Sequence, residues 1–287
     1  MKKWILKAVV QKTISFLPYK HRINFLFQKY ITKGVRLSDD YFQDKLIHFK
    51  HHQGFGKKYL GKLEQKEIYE LGTGWYPVIP IAFILNNVAH VKTVDIAGLL
   101  SKNGFVLTIE KFLTYHRSGQ LKEILDYDAQ KINELEELHA QADTLDLAAM
   151  LAKVNINYIV GDAAEIGAEV KSIDLLVSNN TFEHVYPEDL RRLLSRFKQL
   201  VKSNGLMVHF IDMSDHFAHL DQSITIYNFL QFSEKAWQSI DNTIQPQNRW
   251  RINQYRDLYL TLGIPVTEEQ ERPGNQEPEV TLSKDSG

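Results

Sequence analysis

Short apolar runs alternate along the chain with longer segments in which apolar residues recur at helical spacing. The clearest of these strand-like segments cover residues 68–71, 91–94, 157–160, 173–177 and 206–211, and the fourth is the most continuously apolar. Short continuous apolar runs are typical of parallel strands that are buried on both faces. Because helical segments separate the runs, the pattern predicts an α/β fold with a mostly parallel sheet and helices on both of its faces.

The first predicted strand leads into a turn that contains two glycines, Glu70-Leu71-Gly72-Thr73-Gly74. Glycine permits backbone angles closed to other residues and brings amide groups close to a ligand. Asp95 ends the second run and lies 23 residues after Gly72, near the spacing of about 20 residues expected for an acid that binds two ribose hydroxyls. This arrangement predicts a site for a cofactor that contains a ribose.

Two positions argue against a dinucleotide-binding turn. Pro77 stands where the third glycine of such a turn is expected, and proline has no amide to offer. Glu70 lies two residues before the first glycine, where that turn usually lacks an acid. A glycine turn followed by an aspartate also arises in α/β proteins without any such site, so the rest of the chain must decide.

The later strands end in polar residues too. Gly161-Asp162-Ala163 follows the third run, and Ser178-Asn179 ends the fourth. A helix is predicted to begin near Pro187 and to stop at Asn204-Gly205, before the fifth strand at 206–211.

With these blocks in this order, the chain resembles the class I S-adenosylmethionine-dependent methyltransferases. The resemblance covers about 66–212, roughly half of the chain, and lacks the family's third glycine, where Tyr76 stands. It implies a Rossmann-like, mostly parallel seven-stranded sheet and S-adenosylmethionine as the cofactor. It is carried by E-L-G-T-G at 70–74, Asp95, G-D-A at 161–163, D-L-L-V-S-N-N-T-F-E-H-V at 174–185 and N-G-L-M-V-H at 204–209.

The resemblance also implies which residues bind the cofactor. Asp162 and the amide of Ala163 would hold the adenine, Asp95 the ribose, and Glu70 with the glycine loop the amino-acid part. The loop from Ser178 to His184 would lie under the methionine part and beside the acceptor. The predicted cofactor-binding residues are Glu70, Gly72, Thr73, Gly74, Asp95, Ile96, Asp162, Ala163, Ser178 and Asn179.

Acids and histidines follow the fourth and fifth strands, where an α/β sheet places its chemistry. His184 follows the fourth strand, and Asp212, Asp215, His216 and His219 follow the fifth. Imidazole, with an ordinary pKa of about 6.5, could take a proton from the acceptor; in the other interpretation these side chains only cap turns. The predicted catalytic residues are His184, His216, His219 and Asp212. A metal site would use His216, His219 and an aspartate, but none is predicted, because no recognised zinc spacing is present.

The spacing of the motifs predicts three regions. Residues 1–64 form a basic helical N-terminal arm, 65–273 the methyltransferase domain, and 274–287 a tail that is either the last strand or disordered. Since 67 residues separate Asp95 from Asp162, a helical insertion of two to four helices is predicted at about 99–155. It either caps the cofactor or is a peripheral decoration. The segments 264–270 and 279–282 are predicted as the last two strands.

Charge is concentrated at the N-terminus. Residues 1–66 contain 15 Lys and Arg against 4 Asp and Glu, although the whole chain has a net charge of −1. The basic and apolar residues of 1–33 suit either packing on the main domain or peripheral contact with an anionic membrane. No apolar run is long enough to span a membrane, and no nucleic-acid-binding module is visible, so a cytoplasmic chain without a nucleic-acid partner is predicted.

The chain contains no cysteine. It therefore lacks the thiol for covalent methylation of a pyrimidine carbon and the ligands for a radical iron–sulfur cluster. The function predicted from the resemblance is direct in-line methyl transfer to a small-molecule or glycan-like acceptor. A non-catalytic module that binds S-adenosylmethionine or a nucleoside, and a NAD-dependent oxidoreductase, stay open. The sequence names neither the acceptor atom nor the oligomeric state.

Overall fold

The computed structural model describes residues 2–28, 31, 36–167, 169–272, 274 and 283. The chain divides into two compact units, and each is discontinuous in sequence. The arm unit comprises 1–35, 182–195 and 211–287, and the sheet unit comprises 36–181 and 196–210.

The sheet unit contains five parallel strands in the order β3-β2-β1-β4-β5. This confirms the predicted α/β fold with a parallel sheet. The strands are β1 (Glu67–Leu71), β2 (His90–Asp95), β3 (Ile156–Val160), β4 (Ile173–Asn179) and β5 (Val201–Phe210).

The predicted seven-stranded sheet is wrong, because the sheet of the described residues has five strands. Residues 264–270, predicted as the sixth strand, have no regular structure. Ile264 is buried but 265–270 are all exposed, so this stretch has no apolar face to add to a sheet. The predicted seventh strand, 279–282, lies outside the described residues.

The start of β5 also differs from the prediction. The preceding helix, α9 (Pro187–Leu200), ends at Leu200 and not at Asn204-Gly205, which lies inside β5. Val201 pairs with Ile173, and the register then shifts before Leu206 pairs with Leu175. A Cβ atom on Gly205 would lie 3.0 Å from the carbonyl oxygens of Ile173 and Asp174. Glycine is thus favoured here by the close approach of two strands.

Six helices of the described residues lie wholly in the sheet unit: α3 (Asp39–Leu60), α4 (Val78–Leu85), α5 (Lys102–Arg117), α6 (Gln120–Ile124), α7 (Ala129–Ala140) and α8 (Leu147–Lys153). Helix α4, directly after the glycine turn, is buried at every position. Helix α3 lies within the sequence predicted as the N-terminal arm, yet Phe42, Leu46 and Phe49 bury it in the core of the sheet unit.

The region of the predicted insertion contains four helices, α5 to α8. Their apolar faces belong to the same hydrophobic core as the strands. Helical spacing in the sequence therefore predicted these helices correctly, and the structure shows that they form part of the core of the sheet unit. Their role as a cap over the cofactor stays a prediction. The predicted domain boundaries also stay predictions. The insertion residues in that core include Phe105, Ile109, Phe112, Leu121, Ile132, Leu135, Leu138 and Met150.

The arm unit has a smaller core of its own, formed by Trp4, Ala8, Phe217, Phe229, Leu230 and Trp237. Its helices are α1 (Lys3–Ile14), α2 (Lys20–Phe27), the first part of α9, α10 (Glu234–Ile240) and α11 (Ile252–Thr261). The Trp4 backbone N–H donates to the Asp221 carboxylate at 3.1 Å. Lys12 Nζ donates to the Gln238 and Asp241 carbonyl oxygens at 2.9 and 2.7 Å. One face of α1 is thus engaged within this unit. None of the described helices is both long and apolar enough to cross a bilayer.

Candidate active site

The predicted cofactor-binding residues all lie in the sheet unit, at or just beyond the carboxyl ends of four neighbouring strands. Because these strands are parallel and adjacent in the order β3-β2-β1-β4, their carboxyl ends share one edge of the sheet. The structure thus brings together Asp162 and Ala163 after β3, Asp95 and Ile96 at β2, Glu70 to Gly74 at β1, and Ser178 and Asn179 at β4.

The glycine turn needs glycine at both positions. Gly72 and Gly74 have φ angles of +88° and +70°, which other residues rarely adopt. A Cβ atom on Gly72 would lie 2.2 Å from the Thr181 hydroxyl oxygen, and that hydroxyl donates to the Leu71 carbonyl at 3.2 Å. Around Gly74, by contrast, a Cβ atom would meet nothing within 4 Å. The turn is pressed against the end of β4 at Gly72 and open at Gly74.

Asp95 ties the second strand to this turn. Its carboxylate accepts the Gly74 backbone N–H at 2.8 Å, and the side chain is 7% exposed. Burial raises the pKa of Asp95 to about 7, although hydrogen bonds from Gly74 and Thr73 lower it. The next residue, Ile96, is 74% exposed, which leaves an apolar side chain at the sheet edge.

Glu70 is a second buried acid in the same place. Thr93 donates its hydroxyl to Glu70 Oε2 at 2.5 Å, and Thr73 is hydrogen-bonded to Thr93 in turn. Burial raises the pKa of Glu70 to about 8; the Thr93 hydrogen bond lowers it, and the Asp95 carboxylate raises it. Two carboxyl groups are thus held out of water close to each other, and the charge of Lys45 lowers the pKa of Glu70 without offsetting the effect of burial.

The residues after β3 and at the end of β4 have different roles. Asp162 Oδ1 accepts the Ala164 N–H at 2.9 Å and so shapes its own turn. Ser178 is fully buried and hydrogen-bonded to His209 Nδ1 at 2.8 Å, which engages its side chain within the fold. Asn179 is 6% exposed, and neither atom of its side-chain amide has a hydrogen-bond partner among the described residues.

Sequence reasoning missed two aromatic contributions to this edge. Tyr158, inside β3, accepts the Leu99 N–H at 3.1 Å and donates to the Ala97 carbonyl at 3.3 Å, which fixes the loop after Asp95. Tyr41 of α3 packs edge-on against Tyr76, with ring centroids 6.2 Å apart. Burial raises the Tyr41 pKa, and the carboxylates of Glu70 and Asp95 contribute to the rise. No motif marks either tyrosine, because only tertiary contacts bring them here.

The predicted catalytic residues all lie in the arm unit, where they form one cluster. The rings of His184 and His216 have centroids 4.8 Å apart, and those of His216 and His219 are 5.5 Å apart. His216 Nε2 lies 3.6 Å from Asp212 Oδ2, and His219 Nε2 lies 4.0 Å from the same oxygen. The prediction that these four side chains act together in chemistry stays a prediction, but the fold of this unit does gather them.

His184 is held as a neutral imidazole. Burial lowers its pKa to about 3; the neighbouring His216 lowers it as well, whereas the Pro246 carbonyl raises it. Its Nδ1–H donates to that carbonyl at 2.6 Å, because a carbonyl oxygen can only accept. Nε2 therefore carries the free lone pair, on a ring that is a weak base at neutral pH.

The two aspartates of this loop differ. Although burial raises the pKa of Asp212, the neighbouring His216 and hydrogen bonds from Ser214 hold it well below its usual range. Asp215 is completely buried and accepts from the Phe217 backbone N–H at 2.8 Å and the Asn228 amide at 2.9 Å. Asp212 is thus an ionised carboxylate facing the histidines, whereas Asp215 organises the loop.

A family model described as a methyltransferase domain matches residues 119–209. The matched segment includes β3, β4, α9 and nearly all of β5, and therefore the blocks at 161–163, 174–185 and 204–209. This segment of the chain is similar to methyltransferase domains. The match covers about a third of the chain and agrees with the predicted class of enzyme, while the activity and the cofactor of the whole chain stay proposals. The glycine turn and Asp95 lie N-terminal to the matched segment.

Several solved structures are similar to this chain. Phosphoethanolamine N-methyltransferase 2 of Haemonchus contortus, in complex with S-adenosyl-L-methionine, is 14% identical over 75% of this chain and 36% of its own, with a TM-score of 0.41. The PH0226 protein of Pyrococcus horikoshii is 18% identical over 61% and 56%, with a TM-score of 0.36. An S-adenosylmethionine-dependent methyltransferase of Mesorhizobium loti is 17% identical over 58% and 53%, with a TM-score of 0.33.

This chain therefore spans between about a third and just over half of the length of those three proteins. At these scores the similarities carry no argument about substrate or partner. Among curated proteins, none matches the chain.

Glu70→Gln should change how the stability of the cofactor-free protein depends on pH. In the folded protein Glu70 keeps its proton up to a pH of about 8, whereas an unfolded glutamate loses it near pH 4.3. The native state thus holds the extra proton between these values, and the free energy of unfolding falls as pH rises through this window. Thermal melts from pH 5 to 9 should show a flatter pH dependence for the glutamine variant. Parallel curves for wild type and variant would contradict the buried, protonated state of Glu70.

Proposed function

We propose that the chain catalyses direct in-line transfer of a methyl group from S-adenosylmethionine to a small-molecule or glycan-like acceptor. The observation that carries the proposal is the edge of the sheet at which the open glycine turn, Asp95 and Glu70 meet within a few ångströms. An open backbone turn beside two buried acids is suited to a ligand that carries hydroxyl and ammonium groups.

Three further features of this edge fit the cofactor. Gly74 has open space where a side chain would stand, so a ligand can approach its backbone. Asn179 offers a buried amide whose donor and acceptor have no partner among the described residues, and a buried polar group of that kind calls for a ligand or water. Ile96 presents an exposed apolar side chain that can pack on a flat base.

When bound, the cofactor supplies an electrophilic methyl group on a sulfonium sulfur. The chain then has two tasks, to align the reactants and to receive the acceptor's proton. We assign the first task to the glycine turn, Glu70, Asp95 and Asn179. The second we assign to the cluster of Asp212, His184, His216 and His219, whose segments follow directly after β4 and β5 in the chain.

Asp95→Ala should weaken S-adenosylmethionine binding roughly tenfold to a hundredfold. Hydrogen bonds from ribose hydroxyls to a carboxylate are worth about 1.5–3 kcal/mol each, and each 1.4 kcal/mol is about tenfold in affinity. Titration calorimetry with S-adenosylmethionine, its demethylated product and NAD would measure this.

The matched control is Asp126→Ala, an exposed aspartate in the loop before α7, which should bind the cofactor like wild type. Unchanged affinity of a folded Asp95→Ala protein would remove Asp95 from the site. Saturable binding of NAD in place of S-adenosylmethionine would favour the oxidoreductase.

Asp212→Asn and His219→Ala should reduce turnover by roughly 10²–10⁴-fold in at least one case, the range typical for loss of proton-transfer groups. Cofactor affinity should stay within a few-fold of wild type, because neither residue belongs to the proposed cofactor site. Release of S-adenosylhomocysteine, measured over a panel of hydroxyl- and amine-bearing small molecules and sugars, gives the rate.

Asp257→Asn, an exposed aspartate of α11, is the control and should turn over normally. Near-normal turnover of both test variants would exclude this cluster from the chemistry. Tight cofactor binding without product from any acceptor would favour a non-catalytic module.

We also propose that the arm unit contacts anionic membranes. The turn between α1 and α2 exposes Phe16 by 79%, Leu17 by 44% and Tyr19 by 83%. Leu6 and Val9, on α1, are 50% and 55% exposed. The first 38 residues contain no Asp or Glu, so the charged residues next to these apolar side chains in sequence are all basic. Aromatic and basic residues on one exposed segment are typical of interfacial binding.

Phe16→Ser combined with Tyr19→Ser should reduce sedimentation with vesicles of anionic phospholipid by about tenfold at low salt, since two large apolar side chains no longer enter the interface. Leu260→Ser is the matched control, because Leu260 of α11 is also 79% exposed but lies in another part of the chain. Membrane contact would be refuted if wild-type protein did not sediment with anionic vesicles, or if Leu260→Ser reduced sedimentation as much as the double variant.

A further inference from the structure

Three side chains of the arm unit place potential metal-ligand atoms close together. One ligand atom each from Glu183, His184 and His216 lies within 4.8 Å of the other two. Ligands of one metal ion at about 2.0–2.2 Å are separated by somewhat less than this, so small side-chain movements close the site. We propose that Glu183, His184 and His216 form a binding site for a divalent transition-metal ion of the zinc class.

His184 is oriented for such a role. Its Nδ1–H donates to the Pro246 carbonyl at 2.6 Å, which leaves the Nε2 lone pair for a metal. Histidine ligands commonly donate their other ring N–H to a carbonyl or carboxylate, which fixes the ring and its tautomer. The hydrogen bond to Pro246 thus supplies the outer contact that a metal-bound histidine needs.

One short segment holds all three residues. Pro246 accepts from His184, the Gln247 side chain accepts the His216 backbone N–H at 3.0 Å, and the Asn248 backbone N–H donates to the Glu183 carbonyl at 2.9 Å. The Asn248 side chain also donates to the carbonyls of Phe182 and Val185, at 2.8 and 2.9 Å. Residues 246–248 therefore fix the positions of the three ligand residues relative to one another before any ion binds.

The charges of the cluster fit a divalent cation. Glu183 is 5% exposed, so a cation bound to its carboxylate would be attracted in a region poor in water, where the attraction is strong. Asp212 Oδ2, 3.6 Å from His216 Nε2, adds a second carboxylate that can ligate or hold the His216 ring. Two imidazoles with one or two carboxylates are a donor set for Zn²⁺ and its neighbours, not for Ca²⁺.

The ligands come from two segments separated by 32 residues, 183–184 and 216, so they form none of the short zinc spacings. That is why the sequence predicted no metal. Metal binding does not require the proposed methyl transfer, although a bound ion would occupy the lone pairs that His184 and His216 would otherwise use to accept a proton. If the acceptor is a hydroxyl compound, the ion would bind its oxygen and lower its pKa; only this role rests on the proposed function.

The test is metal binding by full-length, tag-free protein that has been stripped with EDTA. We expect one equivalent of Zn²⁺ per chain by elemental analysis after desalting. Co²⁺ should give the visible absorption bands of a low-coordinate site with nitrogen ligands, and Zn²⁺ should raise the melting temperature. Calorimetry should show at least tenfold weaker Zn²⁺ binding for Glu183→Gln and for His216→Asn.

His139→Asn, on α7 in the sheet unit, is the matched control and should bind Zn²⁺ like wild type. Circular dichroism shows whether each variant is folded. Wild-type protein that takes up less than a stoichiometric amount of Zn²⁺ overturns the proposal, whatever the variants do. So do folded Glu183→Gln and His216→Asn proteins that keep wild-type affinity. Neither result depends on turnover, so failure here is distinct from failure of the methyltransferase proposal.

Discussion

The hydrogen bond from the Gly74 amide to the Asp95 carboxylate, 2.8 Å long, is the contact on which the candidate cofactor site depends. It requires Gly74 at positive φ, and it requires β1 and β2 to be parallel neighbours with their carboxyl ends level. The Thr181 hydroxyl at the Leu71 carbonyl joins the end of β4 to the same turn. Backbone geometry and sheet order thus place the two acids before any ligand is present.

The two buried acids are costly for the free protein. Burial raises the pKa of both Glu70 and Asp95, because an ionised carboxylate loses its water there. A ligand that brings positive charge or hydroxyl donors restores favourable partners to these groups. The same electrostatics therefore destabilises the empty site at high pH and favours ligand binding. Such strongly shifted pairs of titratable groups are typical of functional sites.

The arm unit gathers a second set of titratable side chains. Its cluster of histidines lies beside an ionised Asp212, and residues 246–248 hold His184, His216 and Glu183 by three successive hydrogen bonds. This prior fixation is what both proposed roles require, since a proton acceptor and a metal ligand each need an oriented lone pair. The two proposed roles differ in what the imidazole lone pairs bind, which is a proton from the acceptor in one case and a metal ion in the other.

The sequence by itself determined the five parallel strands, the helices between β2 and β3, and the acids and glycines at the strand ends, because these follow from local periodicity, backbone freedom and the order of the motifs. It did not give the number of strands in the sheet. A polar segment can still form a strand when another segment pairs with it, and only the structure shows that 265–270 stay exposed and irregular. Nor could the sequence predict the contacts of Tyr41 and Tyr158 at the edge of the sheet, or the contacts among the histidines. Those depend on residues far apart in sequence, and only tertiary packing sets their distances and the burial that shifts their pKa values.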